Sequence, residues 1–109
     1  MYFGRSMQYS LGLTDEQRRK VDAIHDDVQA RNWEITGKMR GEMARIRDLA
    51  SAEPLDRKAL DDTYKRINDL RQQRFDAGIT ARSQIEGVLT AEQKERFRSF
   101  GPGWPGDID

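Results

Sequence analysis

Few side chains in this sequence carry reactive chemistry, and they fall into small groups. His25 is the one histidine among 109 residues. It lies between Ile24 and the pair Asp26-Asp27, with Asp22 about one helical turn before it. Imidazole suits Zn, Cu, Ni or Co, so one reading makes His25 a metal ligand. The other makes it a half-buried helix histidine bonded to a carboxylate. With no second histidine at i+4 the plainer reading is favoured, although a dimer would set two copies near each other. Met39 and Met43 stand four residues apart on one helix face, and thioethers prefer soft ions of the Cu(I) kind. Together with His25 they make up the candidate metal set. Met39 also fits an apolar stripe, where methionine fills core gaps, and a flexible methionine surface suits promiscuous protein binding. Core packing ranks first, a client surface second and metal third. Met1 and Met7 add two thioethers in the head.

Aromatic residues form the other group. Trp33 and Phe75 fall off the apolar stripes of their segments. In a hairpin turning near residues 53–54, facing positions sum to about 107, which sets Trp33 beside Arg74 and Phe75. Aromatics and Arg are enriched in interface anchors. Trp33, Arg74, Phe75, Met39 and Met43 are therefore the candidate client or dimer surface. The plainer alternative is local packing of the two rings over Arg and Lys stems. Trp104 is a further outlying aromatic. Small residues Ala77, Gly78 and Ala81 fall opposite roughly Asp26 to Ala30, where they either let the helices approach closely or leave room beside His25.

The elements that position these residues follow from composition and period. Charged residues make up 35% of the chain, and 19 basic residues balance 19 acidic ones. Leu, Ile, Val and Phe number only 21. Disorder needs a high net charge as well as low hydrophobicity, and here the charge is zero. So few apolar residues suffice when they line one stripe of long helices, but not for a two-layer α/β core. Balanced charge argues against a nucleic-acid module. No apolar run is long enough to span a membrane, and there is no cysteine for disulfides or thiolate sites. No nucleophile elbow, phosphate-binding glycine loop or two-histidine metal motif is present, so the chain reads as non-enzymatic.

Val21, Ile24, Val28, Ile35, Met39, Ile46 and Leu49 recur at the helical period, predicting one helix from Thr14 to about Ala52. Gly37 and Gly41 inside it read as exposed positions or a local bend. Pro54 ends that run. Asp56 is a candidate N-cap, with Leu55 and Leu60 spaced as a hydrophobic staple. A second helix carries Leu60, Tyr64, Ile67, Leu70, Ala77, Ala81, Ile85 and Val88 inward. A short third helix runs from Thr90 to about Phe100. The expected fold is all-α: a long antiparallel hairpin over 13–100 with a short C-terminal helix. An irregular segment over 1–12 and a flexible tail over 101–109 flank it. The interleaved charges read as a solvated face.

One motif occurs twice: Leu13-Thr14-Asp15-Glu16-Gln17 and Leu89-Thr90-Ala91-Glu92-Gln93. Thr at the N-cap accepts from the N3 amide, and Gln at N3 reaches back to the cap amide. One copy is a common helix start. Two copies, with a proline-marked turn between them, resemble the LTxxQ-motif periplasmic proteins, which include Spy/CpxP-like chaperones and ZraP/CnrX-like metal-responsive proteins. The resemblance covers roughly residues 11–100. It implies an exported, hooked helical hairpin, a homodimer with a concave face, and a periplasmic location with the signal peptide already removed. It further implies ATP-independent binding of unfolded or partner proteins in a stress response. The alternative implied is a metal sensor or heavy-metal-resistance accessory for Cu, Zn, Ni or Co. No cofactor is certain beyond a transition-metal ion in that alternative, and the histidine-rich ends of some metal-binding relatives are absent. A cytosolic helical scaffold ranks third.

Overall fold

The computed structural model describes residues 5–99. Four helices follow in order: α1 (Arg5–Leu11), α2 (Asp15–Ala50), α3 (Arg57–Val88) and α4 (Ala91–Ser99). The described residues include no strand. Helices α2 and α3 pack against each other along their length, and α1 touches α4 at the open end. The molecule is a rod of 60 × 21 × 19 Å.

The helix starts are set by side-chain caps. Thr14 caps α2 with a complete capping box, and Asp56 caps α3 by accepting from the Ala59 amide at 3.0 Å. Ser51 closes α2, its amide reaching the carbonyls of Arg47, Asp48 and Leu49. Gly37 and Gly41 are exposed and do not interrupt the helix. Leu55 is exposed, so the Leu55–Leu60 staple buries little.

The core lies in three clusters along the seam. At the open end Leu11, Leu13, Val21, Ile85, Leu89 and Phe97 pack together. In the middle there are only Val28, Ala77 and Ala81, with Ile24 half-buried beside them. Towards the turn, Ile35 and Met39 meet Ile67 and Leu70.

Two expectations need correction. Arg5–Leu11, expected to be irregular, forms a helix. Leu11 is 1% exposed inside the end cluster, and Gln8, also buried, donates to Asp22 at 2.9 Å. Tertiary anchoring thus orders a segment too short to show a period of its own. Tyr64, expected to face inward, is exposed, while Thr63 is fully buried in its place. Thr63 satisfies its hydroxyl locally, donating to the Ala59 carbonyl at 2.7 Å and accepting from Arg66 at 3.0 Å. Met1, Trp104, the tail over 101–109 and the side chain of Met7 lie outside the described residues.

Candidate functional site

The two repeated motifs meet at the open end. Each uses its Leu, Thr and Gln in the same three ways. Leu13 and Leu89 are both buried in the end cluster. Thr14 and Thr90 accept from the amides of Gln17 and Gln93, each at 3.2 Å. The two glutamine oxygens accept in return from the Thr14 and Thr90 amides, at 2.9 and 3.0 Å. The glutamine amino groups then cross to the opposite motif. Gln17 Nε2 donates to Gln93 Oε1 at 2.8 Å and to the Val88 carbonyl at 3.0 Å. Gln93 Nε2 donates at 3.3 Å to the Leu11 and Gly12 carbonyls and to Gln17 Oε1.

The motif is thus a clasp as well as a pair of caps. It ties the start of α2 to the start of α4 and holds the ends of α1 and α3 by their carbonyls. Glutamine supplies both a donor and an acceptor at one position, as this reciprocity requires. The local caps were legible one at a time. The cross-link was not drawn from them, although the hairpin arithmetic that pairs Trp33 with Phe75 also sets Gln17 opposite Thr90.

The remaining candidates divide by the helix face they occupy. His25 is 8% exposed, with its Nε2 at 3.4 Å from Gln29 Nε2. Met39 belongs to the core cluster nearest the turn, while Met43 is exposed. The structure therefore does not bring the three candidate ligands together at one accessible point. Among the described residues no group of three or more His, Cys, Asp or Glu side chains could hold a metal ion. Gly78 is buried beside Ala77, and Ala77 and Ala81 pack with Val28 in the middle cluster.

Trp33 is 81% exposed and Phe75 61% exposed. Neither makes a ring contact among the described residues; the cation–π pair there is Arg82 over Phe97, at 5.6 Å. Arg74 is half-buried. Tyr64 at 57%, Ile79 at 45% and Met43 at 44% are the other exposed apolar side chains of the two long helices.

These residues are not scattered. A furrow of about 220 Å³ runs between α2 and α3 on one side of the hairpin, with walls of Arg31, Glu34, Lys38, Gln73, Asp76 and Thr80 over the apolar Ile35 and Ala77. At about 100° per residue, Met43 lies round α2 from the buried stripe in the opposite sense, with Trp33 farther round. Tyr64, Phe75 and Ile79 do the same on α3. One face of the rod is therefore grooved, with charged and polar walls, and the other carries the projecting aromatics. Tyr64 is missed as a surface candidate because it falls at the margin of the inward stripe, whereas Ile79 lies outside that stripe and was not singled out.

At the turn end of the rod, the Lys58 ammonium donates to Asp62 at 2.7 Å. That hydrogen bond holds the Asp62 carboxyl below its usual range and raises Lys58 above its own.

The protein-family model described as LTXXQ motif family protein matches residues 3–101 of the chain. No curated protein and no solved structure matches it.

Proposed function

The chain belongs to the LTXXQ motif family, and from that premise we propose that it is a periplasmic stress-response protein that holds unfolded or partner proteins without ATP. One observation carries the reading: Trp33, Phe75, Tyr64, Ile79 and Met43 project from one face of a rod whose other face is a furrow with charged and polar walls. Soluble proteins rarely leave such a set of large apolar groups on one face without a partner. Projecting aromatic and thioether groups can pack against many apolar sequences in turn. Holding needs no nucleotide site and no catalytic pocket.

A pair of these hairpins, as family membership suggests, would double the face. The test is suppression of aggregation of an unrelated unfolded protein at near-stoichiometric ratio, without nucleotide. Wild type is expected to suppress it, and Trp33→Ala with Phe75→Ala to lose most of the effect at unchanged helicity. Unchanged holding and unchanged sedimentation mass in that variant refute the face as the working surface.

The metal reading rests on His25, Met39 and Met43. With His25 and Met39 buried, an ion would have to enter through rearrangement or between two copies. Saturable binding of Cu(I), Zn, Ni or Co that is lost in His25→Ala supports it.

A further inference from the structure

The aromatic face also carries an excess of basic groups. On the helical period, Arg40 and Arg47 lie on the same side of α2 as Met43, and Arg71 lies on the same side of α3 as Phe75. Arg40 and Arg47 enter no ion pair among the described residues, and Arg71 contacts only the neutral Asn68, at 3.5 Å. Most acids of this stretch turn elsewhere. Glu34 and Asp76 line the furrow on the other side. Glu42 is bonded to Arg66 at 3.0 Å. Asp61 shares the direction of Ile79 on the aromatic face, but lies 3.9 Å from Arg57 there, so the two charges offset each other. A chain of zero net charge therefore presents one face that is apolar and basic together.

The apolar groups stand in rows across this face. Using the facing positions of the core, Met43 pairs with Tyr64, and Trp33 with Phe75. The row from Met43 to the level of Ile79 is on the order of 20 Å long at 1.5 Å per residue. The side chains project, and the furrow between the helices opens on the opposite side. A site that reads peptide side chains is concave and takes them into pockets. Projecting Trp and Tyr with flanking Arg suit a planar boundary, rings at headgroup depth and guanidinium groups on phosphates. A second copy of the same face would set one arginine row against another.

We infer that the face bearing Trp33, Met43, Tyr64 and Phe75 binds an anionic lipid surface through its aromatic groups and through Arg40, Arg47 and Arg71. No helix among the described residues is long and apolar enough to cross a membrane, so the contact is one of lying on the surface. The inference uses the same face as client holding and does not depend on it.

Flotation with vesicles of phosphatidylglycerol and phosphatidylethanolamine, against vesicles of phosphatidylcholine alone, tests it. The full chain is expected to float with the first and not the second, and to detach as salt is raised. In a Trp104→Phe background, Trp33 emission is expected to shift to shorter wavelength on binding. Arg40→Glu with Arg71→Glu should weaken binding by at least roughly tenfold, since each basic group near the surface contributes measurably. Trp33→Ala with Phe75→Ala should abolish the bound fraction; all four sites are exposed, and helicity by circular dichroism verifies the fold. No binding to anionic vesicles, or binding indifferent to both variants, overturns the inference. So does equal binding to soluble polyglutamate, which would assign the face to acidic chains instead. Vesicle binding without aggregation suppression supports the lipid inference and removes the holding function; suppression without vesicle binding does the reverse.

Discussion

Gln17 and Gln93 each serve two helices, so their loss should cost more than the loss of an ordinary cap. Removing the Thr14 hydroxyl leaves one amide without its acceptor, worth about 1 kcal/mol. Removing the Gln93 side chain leaves the Thr90 amide and the Leu11 and Gly12 carbonyls without these partners, and costs the Gln17 amide group one of its hydrogen bonds. Part of this region is shielded from water, where unsatisfied groups cost roughly 1–3 kcal/mol. Gln93→Ala is therefore expected to lower the melting temperature by more than Thr14→Ala, by several degrees in a domain of this size. Equal shifts in thermal unfolding would show that the two caps act separately and that the clasp adds nothing. Residue identity made the caps legible, because Thr-x-x-Gln has one local geometry. The clasp needed two motifs brought together over seventy positions, and His25 shows the same limit. Its place beside an apolar stripe was plain in the sequence. Its contact with Gln29, and the bond from Gln8 that Asp22 accepts, were not, because the second comes from a helix with no period to announce it.

The two glycine environments make opposite predictions for the elements. Gly12 joins α1 to α2 at φ +66°, a backbone conformation that costs an L-residue roughly 1–2 kcal/mol. Gly12→Ala meets no atom within 4 Å, so its penalty is conformational alone. Gly37 lies in the middle of α2, exposed and with nothing within 4 Å of an added Cβ. Gly37→Ala should stabilise by about 0.5–1 kcal/mol, the propensity difference in a helix interior. Denaturant midpoints should move down for the first and up for the second; a rise for Gly12→Ala would mean that its positive φ is not required in solution. At the start of α3 the exposed Lys58–Asp62 pair adds a small dependence on pH. Asp62 has its folded pKa lowered below 3.8 by the Lys58 hydrogen bond, so this support is present above that value. It disappears as pH falls through the folded value, and Asp62→Asn should flatten only that acidic limb. The long helices were legible because caps, period and proline agreed on their limits. Tyr64 and Thr63 were exchanged because a β-branched residue with a self-satisfied hydroxyl can enter the seam, and polarity hides that from a count of apolar positions.

At the scale of the molecule, surface and core are out of proportion. A compact protein of 12.6 kDa is expected to expose about 6,200 Å², and this one exposes 7558 Å². Its two long helices cover each other along one stripe only, and the seam thins at its middle to Val28, Ala77 and Ala81. A rod so built has room to bury about 800 Å² per partner, the area of an ordinary specific interface. Association would also supply apolar contacts that two helices alone cannot provide. We therefore predict that the chain pairs in solution, as family membership suggests. Sedimentation equilibrium should give a mass near twice 12.6 kDa, and the melting temperature should rise with protein concentration, because association stabilises only the folded chain. A single species of one chain's mass, with a melting temperature independent of concentration, would sink the prediction. That result would also mean that the three small clusters and the clasp hold the hairpin alone.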